Sequence, residues 1–490
     1  MPSNRPLPER LDTLVIGAGM SGIAMGYHLK RRGLDDFLIA EKSDGFGGVW
    51  RDNRYPGAGC DVPSHLYSFS FALKPDWSRK YALQAEILDY FESCAERFGL
   101  GPHLRTGLIV RSLTFDESEG RWQVRFADGS QTSARVVISA VGQLSEPFTP
   151  EIAGLSDFTG PVMHTARWDN SVELDGQRVA LIGNAASAIQ LLPEVSERAR
   201  ELTVFQRTPN WIISKPDRAF TALEKWAFAN IPGWQRLYRM GSFLIHELRY
   251  SALVRGSLAS RFTRWTGKRK IAKGIKDSEL RAKLTPDYPP GCKRILLSND
   301  YFEVMQRGNV RLVTDGIARV LPDGVETATG ETIASDTLIL ATGFVTTEFL
   351  PTLEVTSADG RSLREAWGAS PRAYKGVAVA GFPNLFMLYG PNTNLGHNSI
   401  IFMVERQAEY IADKAGQILD GELKTLSARP EAESRYNADL QTRLSKTVWA
   451  GDCPSWYKTA DGIITQNWEG LATRFARTLG KRDDADWEAV

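Results

Sequence analysis

Cysteine is scarce in this 490-residue chain. Its four cysteines are far apart, and no C-x-x-C pair occurs among Cys60, Cys94, Cys292 and Cys453. Disulfide reductases need a close pair of redox-active cysteines, so the spacing argues against that class. We therefore predict that the cysteines are reduced.

Histidine is also scarce, the net charge is small, and long apolar runs are absent from the sequence. The six histidines show no metal-ligand spacing, so we predict no metal site. The formal net charge of +1 gives no reason to expect a nucleic acid partner. The first residues lack an apolar signal region, and no run of about 18 apolar residues occurs. These absences predict a cytoplasmic protein without an integral membrane segment.

What the chain does contain is a βαβ pattern near its beginning. An apolar strand over 11–16 leads into a G-x-G-x-x-G match formed by Gly17, Gly19 and Gly22, and a second strand ends at Glu41. The glycines permit a tight turn, a close approach of a pyrophosphate, and close helix packing. An acid at the second strand end suits ribose hydroxyls and repels a 2′-phosphate. This half is predicted to bind FAD or NAD, and the alternative is a turn that binds nothing.

The same pattern returns in the middle of the chain, in a weaker form. A strand over 178–182 precedes Gly183, but alanine replaces the second and third glycines of the motif. The helix that follows contains Ser187 and Gln190, and we predict that these three residues contact a second dinucleotide.

Arg207 and Thr208 follow the next strand of this second unit. Arg207 stands where the first half has its acid, and a cation there suits a 2′-phosphate. We predict NADPH in this half. The alternative is a solvated arginine at a strand end.

Two longer motifs lie beside these units. Residues 47–61 contain Gly-Gly-Val-Trp followed by a Pro-Gly-Ala-Gly turn, and residues 158–169 fit Phe-x-Gly-x-x-x-His-x-x-x-Trp-Asp. Both resemble the fingerprints of type I Baeyer–Villiger monooxygenases, within the class B flavoprotein monooxygenases. The resemblance spans about residues 11–410 and includes the segments 206–209, 291–294, 341–344 and 390–392.

The resemblance implies a reaction. Such enzymes bind FAD tightly, NADPH reduces it, and O2 then forms a C4a-peroxyflavin that attacks a ketone to give an ester or lactone. The substrates would be a small ketone and O2. The alternative is oxygenation of amines or sulfides by a related flavin monooxygenase, which shares the plan but typically lacks the Trp-Asp ending.

The resemblance also implies catalytic residues. The family's active-site arginine corresponds to Arg294, and its partner aspartate corresponds to Asp61. A permanent cation suits an anionic intermediate, because arginine stays protonated when it is desolvated. Lys293 resembles the lysine that contacts the NADP 2′-phosphate together with Arg207 and Thr208.

Other residues of the motifs are expected beside the flavin or between the two folds. Gly48 and Trp50 are expected to line the flavin, and Asn392 lies in a segment that resembles a flavin-side loop. His164 and Trp168 are expected to link domain motions, on one helix face or in a loop. The alternative for His164 is a buried, hydrogen-bonded histidine without a functional role.

These observations predict an α/β fold with two dinucleotide-binding, Rossmann-like domains and a helical insertion. We assign residues 1–145 and 330–490 to the FAD domain, residues 146–217 and 285–330 to the NADPH domain, and residues 218–285 to the insertion.

The insertion is aromatic and basic. It carries fifteen lysines and arginines against four acids. The resemblance implies a helical cap over the substrate site with a solvated basic face. The alternative is a patch that makes peripheral contact with a membrane surface and helps to collect lipophilic substrates.

Overall fold

The computed structural model describes residues 6–346, 348–421, 423–453 and 455–489. Within them the chain forms two large sheets with helices against them, one mixed and one parallel, together with three small sheets. The predicted α/β fold with two such units is confirmed. The strands in chain order are β1 (Arg10–Ile16), β2 (Phe37–Ala40), β3 (Leu104–Arg105), β4 (Val110–Asp116), β5 (Arg121–Phe126), β6 (Gln131–Ser139), β7 (Val162–His164), β8 (Arg178–Ile182), β9 (Glu201–Phe205), β10 (Ile212–Ile213), β11 (Leu296–Leu297), β12 (Val310–Val313), β13 (Ile317–Leu321), β14 (Gly324–Thr327), β15 (Thr332–Ala334), β16 (Thr337–Leu340), β17 (Glu354–Thr356), β18 (Leu385–Met387), β19 (Leu426–Ala428) and β20 (Trp487–Ala489).

Helices connect these strands and form the insertion. In chain order they are α1 (Met20–Arg32), α2 (Val49–Asp52), α3 (Gln84–Arg97), α4 (Ala186–Arg198), α5 (Ala222–Asn230), α6 (Trp234–Arg249), α7 (Leu258–Gly274), α8 (Ser278–Lys283), α9 (Tyr301–Val304), α10 (Leu363–Trp367), α11 (Ile400–Leu419), α12 (Pro430–Leu444) and α13 (Ala472–Leu479).

The first sheet has the order β17-β4-β5-β6-β1-β2-β3, and β18 pairs with β6 outside that path. Strand β1 lies parallel between β2 and β6. Its residues Leu14 and Val15 are fully buried, because helices and other strands cover both faces of the sheet. Helix α1 packs against α11. The sheet therefore joins the first and last parts of the chain.

The second sheet is entirely parallel, with the order β12-β9-β8-β16-β7. Strand β16 lies between β8 and β7. It belongs to this sheet although it lies beyond the predicted boundary at residue 330, so the chain returns to the first sheet only after Leu340. The sequence pattern could not assign β16 to one sheet, because a single apolar strand is compatible with either.

Helices α5 to α8 occupy most of the predicted insertion. A capping box between Thr221 and Glu224 begins α5, Ser257 caps α7, and Asp277 caps α8. Among the described residues, no helix combines the length and the apolar composition that crossing a membrane needs.

The cysteines differ from the prediction. Cys292 and Cys453 form a disulfide with their Cα atoms 6.3 Å apart, whereas Cys60 and Cys94 are free and buried. The prediction of four reduced cysteines is therefore wrong for this pair. The sequence separation of 161 residues gave no signal that the two would meet. The bond ties the segment before Lys293 to the C-terminal region.

Candidate active site

The first glycine turn has the geometry that the motif requires. Gly17 has φ +105°, and a Cβ there would lie 2.8 Å from the carbonyl oxygen of Ala140. A Cβ on Gly22 would lie 2.0 Å from the carbonyl oxygen of Gly17. Any side chain at either position would force the turn apart. Helix α1 begins directly after the turn, and its N-terminal amides lie beside Gly19.

Glu41 follows β2 and is only 5% exposed. Its carboxylate accepts hydrogen bonds from the backbone N–H of Ala18 at 2.6 Å and of Ser43 at 2.7 Å. The acid therefore holds the glycine turn against the end of β2. Contact with a ribose remains a prediction.

The first fingerprint runs alongside this turn. Gly48 has φ +54°, and a Cβ there would lie 2.8 Å from the Cα of Gly19. The backbones of Gly19 and Gly48 therefore face each other without side chains between them. We call this space the cradle; a side chain at either position would fill it. The indole N–H of Trp50 donates to the Tyr67 hydroxyl at 3.1 Å, and this bond fixes the ring beside the cradle.

The second glycine turn keeps its one essential glycine. Gly183 has φ +112°, and a Cβ there would lie 2.4 Å from the carbonyl oxygen of Ala341. Ala185 has φ −82°, an ordinary value for alanine, so its substitution for glycine costs no backbone strain. Helix α4 has no side-chain cap and no acid in its first turn. Its N-terminus is therefore suited to an anion.

Gln190 joins α4 to the first fingerprint. Its amide oxygen accepts from the Tyr55 hydroxyl at 2.8 Å, and its amide nitrogen donates to the Gly59 carbonyl at 2.9 Å. Ser187 contacts the same tyrosine. The two dinucleotide folds are thus bonded to each other here, and direct contact of Ser187 and Gln190 with a cofactor remains a prediction.

Arg207 and Lys293 come together beyond the end of β9. Burial and the nearby charge of Arg207 lower the pKa of Lys293, although Asp287 opposes the shift. The Lys293 ammonium also lies 5.0 Å from the centre of the Tyr288 ring. Thr208 accepts through its carbonyl from the Asn184 side chain at 2.8 Å, which fixes this loop beside the α4 turn. Two neighbouring cations in this position fit an anionic group such as a phosphate.

Arg294 and Asp61 form the predicted pair. The Arg294 Nη2 lies 3.2 Å from the Asp61 Oδ2, and Lys215 Nζ lies 3.3 Å from the Asp61 Oδ1. The Asp61 side chain is 12% exposed, whereas that of Arg294 is 46% exposed. Burial opposes the charge of Arg294 and Asp61 favours it, and the net effect raises its pKa. The guanidinium is thus held by its counter-ion at Nη2, while the side chain keeps part of its surface exposed.

The groups around this pair are neutral near pH 7. Burial raises the pKa of the Cys60 thiol to about 12, and it raises that of the Tyr457 hydroxyl to about 12 although Arg294 opposes the shift. Burial also raises the pKa of Tyr389, which Arg294 likewise opposes. The charges at this place are therefore those of Arg294, Lys215 and Asp61.

The side chains of His164 and Asn392 form hydrogen bonds with the backbone of neighbouring loops. His164 ends β7, its Nδ1 accepts from the backbone N–H of Ala166 at 3.1 Å, and it also contacts the Gly343 backbone. A short 3-10 turn follows it, so His164 and Trp168 do not share an α-helix face. Asn392 is 3% exposed, and its amide donates to the carbonyls of Ile464 and Asn467. A direct cofactor contact of Asn392 remains a prediction.

Sequence reasoning missed Lys215 and Tyr55. Lys215 follows the two-residue strand β10 in a loop without any motif, and only the fold brings it to Asp61. Tyr55 lies inside the first fingerprint, but its bond to Gln190 depends on how the two folds pack.

Comparison with known proteins shows which family and which solved structures the chain resembles. Residues 14–227 match the pyridine nucleotide-disulphide oxidoreductase family. A Baeyer-Villiger monooxygenase of Streptomyces coelicolor is 41% identical over 492 residues, covering 100% of this chain and 95% of the relative. A solved structure described as oxidized steroid monooxygenase bound to NADP matches with a TM-score of 0.88 and 31% identity, covering 98% of this chain and 99% of the other. A structure of OTEMO in complex with FAD and NADP matches with a TM-score of 0.87 and 26% identity, covering 98% and 99%.

Proposed function

The chain belongs to the Baeyer–Villiger monooxygenase family, and on that premise we propose how its residues divide the work of the reaction. The enzyme is an FAD- and NADPH-dependent oxidoreductase that inserts one oxygen atom of O2 into a ketone and forms an ester or lactone. When bound, the flavin supplies the activation of O2 after NADPH has reduced it.

FAD is held by the first glycine turn and the first fingerprint. The cradle between Gly19 and Gly48 supports this assignment, because only glycine leaves room for a pyrophosphate against the backbone. Gly17 and Gly22 maintain the turn, and Trp50 with Glu41 completes the site.

NADPH is held by the second turn and the cation pair. The N-terminus of α4 after Gly183 suits the pyrophosphate, and Arg207 with Lys293 suits the 2′-phosphate. Thr208 lies in the same loop. The NADPH domain then comprises residues 146–217 and 285–340, and the FAD domain comprises residues 1–145 and 341–490.

Arg294 stabilises the negative charge that develops as oxygen is transferred to the ketone. The observation that carries this role is the geometry of the pair: Asp61 holds the guanidinium through its Nη2 atom, and the Arg294 side chain as a whole is 46% exposed. Such a preorganised cation needs no rearrangement at the moment of reaction. Asp61 and Lys215 orient Arg294 and do not themselves touch the substrate.

The test is product analysis under 18O2. The purified enzyme is incubated with NADPH and a panel of linear, cyclic and aryl ketones together with an aryl sulfide. We expect esters or lactones that carry one 18O atom. Labelled sulfoxide without any labelled ester would instead assign the enzyme to heteroatom oxygenation.

The variant Arg294→Ala tests the role of the guanidinium. It should still oxidise NADPH and reduce the flavin, but ester formation should fall by about 10²–10³, which corresponds to about 3–4 kcal/mol of lost barrier stabilisation. Arg482→Ala is the matched control, since that side chain is 94% exposed. A normal ester yield from Arg294→Ala would contradict the assignment.

A further inference from the structure

The helical insertion concentrates the exposed hydrophobic surface of the molecule. Of the eighteen large hydrophobic side chains that are exposed among the described residues, twelve lie between residues 223 and 265. We call these twelve the apolar outer face: Leu223, Trp226, Ile231, Trp234, Leu237, Met240, Leu244, Ile245, Leu248, Leu258, Phe262 and Trp265.

Helix α6 has an unusual polarity. Its inner face carries several polar groups beside the partly buried rings of Tyr238 and Phe243. Arg239 donates to the His65 carbonyl at 2.6 Å, Gln235 to the Lys74 carbonyl at 2.7 Å, and Glu247 accepts from Asn398 at 2.9 Å. A helix that faces water normally shows the reverse arrangement.

The outer stripe of α6 is continuously apolar. Leu237, Met240, Leu244 and Leu248 are 53%, 54%, 53% and 75% exposed. At 100° per residue these positions lie on one side of the helix, opposite its buried face. Nothing in the described residues covers this stripe.

Positive charge borders the apolar outer face. On the helical wheel of α6, Arg236 and Arg249 lie on opposite flanks of the stripe. On α7, exposed cations alternate with the apolar residues, and Arg269 lies 5.3 Å from the centre of the Trp265 ring. Several exposed cations form no ion pair with any described residue: Arg236, Arg255, Arg261, Arg264, Lys268, Arg269 and Lys273.

The acids of this region do not offset that charge. Between residues 222 and 274 the only acids are Glu224 and Glu247. Glu224 is bonded to Arg218, and Glu247 is buried. The insertion therefore presents an apolar surface with an uncompensated positive border.

We propose that the apolar outer face is a docking surface for a bilayer that contains anionic phospholipid. Acyl chains would receive the leucines, the tryptophans would lie at headgroup depth, and lipid phosphates would pair with the bordering cations. The helices lie in the plane of the interface and do not cross it.

The charges favour a bilayer over a second copy of the chain. Two copies joined through this face would bring unpaired cations together with no acid available to separate them. An anionic lipid surface satisfies both the apolar stripe and its border.

The same insertion reaches the active site. Leu253 of the insertion packs against Gly291: a Cβ on Gly291 would lie 2.9 Å from the Leu253 Cδ2 atom. Gly291 shortly precedes the Lys293-Arg294 pair. Docking would place the bilayer, in which apolar ketones accumulate, against the element that contacts this segment. The docking itself does not depend on the proposed reaction.

Vesicle flotation of the purified flavin-loaded enzyme tests the proposal. Phosphatidylcholine vesicles are compared with vesicles of mixed phosphatidylcholine and phosphatidylglycerol, at low and high salt. We expect flotation with the mixed vesicles and weaker flotation at high salt, because salt screens the cations. Protein that stays at the bottom with both kinds of vesicle would overturn the proposal.

Two variants separate docking from folding. Leu244→Glu/Leu248→Glu should lower binding by about tenfold or more while the flavin spectrum is unchanged. Arg261→Glu/Arg264→Glu should lower binding to the anionic vesicles by roughly fivefold per cation removed. The control is Ile109→Glu/Ile463→Glu, whose wild-type side chains are exposed elsewhere, at 37% and 39%.

Wild-type binding by Leu244→Glu/Leu248→Glu would contradict the proposal. A second result would also contradict it: the wild type is a dimer that binds no vesicles, and the variant is a monomer. The apolar outer face would then be a contact between copies of the chain.

Discussion

Asp61 is shared by two cations from distant parts of the chain. Lys215 approaches from the segment before the insertion, and Arg294 approaches from the segment after it. Because the carboxylate is only 12% exposed, each cation offsets part of its desolvation cost. Lys215 also holds Asp61 in one orientation, and Asp61 in turn holds Arg294. The orientation of the guanidinium thus depends on a lysine that does not contact it.

Lys215→Met should therefore lower turnover although no reacting group is removed. Loss of a charged hydrogen bond commonly costs about 1.5–3 kcal/mol, so we expect kcat for ester formation to fall about tenfold or more. The KM for NADPH should change little, because the cation pair of Arg207 and Lys293 is intact. Steady-state kinetics measures both, with the exposed Lys481→Met as control. An unchanged kcat would show that Arg294 needs no such support.

The glycine positions could be predicted from the sequence because each has a local requirement, whereas the pairing of Arg294 with Asp61 was predicted from the family resemblance. Gly17 and Gly183 are needed where any Cβ would strike a backbone carbonyl. Lys215 could not be predicted, since its partner is distant in sequence and its surroundings form no motif. Gln190 illustrates a further limit: the helix was predicted, but its bonds to Tyr55 and Gly59 depend on how two folds meet.

At the scale of elements, helix α6 supports α13 near the C-terminus. The Glu247 carboxylate accepts from the backbone N–H groups of Ala472 and Thr473 at 2.9 and 3.2 Å. These are first-turn amides, which no residue of α13 itself can satisfy. Burial opposes the charge of Glu247, but its bonds to His397, Asn398 and the two amides prevail and lower its pKa to about 2. A charged acid from the insertion thus caps a distant helix.

Glu247→Gln should destabilise the protein. Replacement of the carboxylate weakens bonds in a buried place, and we expect a loss of about 1–3 kcal/mol in the free energy of unfolding. Urea denaturation measures the loss, and hydrogen exchange should show α13 opening first. The control is Glu409→Gln, because its 46%-exposed ion pair with Arg406 contributes little. Equal stability of the two variants would contradict the capping role.

The disulfide joins two other elements of the chain, and its removal should be measurable. Cys453→Ser should lower the free energy of unfolding by about 2–4 kcal/mol, because the cross-link restricts the unfolded chain. The KM for NADPH should also rise, since Lys293 directly follows Cys292. Urea denaturation and intact mass under non-reducing conditions test this. Cys94→Ser is the control, and a wild-type mass consistent with four free thiols would refute the bond.

The elements themselves followed the sequence more closely than their connections did. Strands β1, β2, β8 and β9 lie where the apolar runs and glycine turns predicted them, because local periodicity decides them. The place of β16 in the second sheet could not be predicted, since it depends on long-range pairing. The helical nature of residues 218–285 was predicted, but the reversed polarity of α6 appears only when its neighbours are known.

At the scale of the whole molecule, burial keeps several histidines neutral. Burial lowers the pKa values of His28, His65 and His246 from 6.5 to about 4 in the folded chain. Between these two values the unfolded chain binds protons that the folded chain does not bind. The contribution of these histidines to the free energy of unfolding should therefore be constant above pH 6.5 and should fall as the pH falls from 6.5 towards 4.

Urea denaturation from about pH 8 to about pH 5 tests this dependence. We expect the midpoint to fall below about pH 6.5, and we expect a shallower fall in His28→Gln, which removes one of the titrating groups. Glu247 and Asp483, with pKa values of about 2, lose their contributions only at more acidic pH. A midpoint independent of pH across this range would contradict the neutral state of the buried histidines.

The way the two sheets interrupt each other has a consequence for biosynthesis. Strand β6 acquires its partner β18, and α1 its covering helix α11, only after the whole second sheet has been translated. The second sheet needs only residues 162–340, so it can close on the ribosome while the first still has an open edge and an uncovered helix. The part of the enzyme that is translated first is therefore the part that is completed last, and a ribosome that stalls between β16 and β18 releases a finished NADPH fold attached to an unfinished flavin fold.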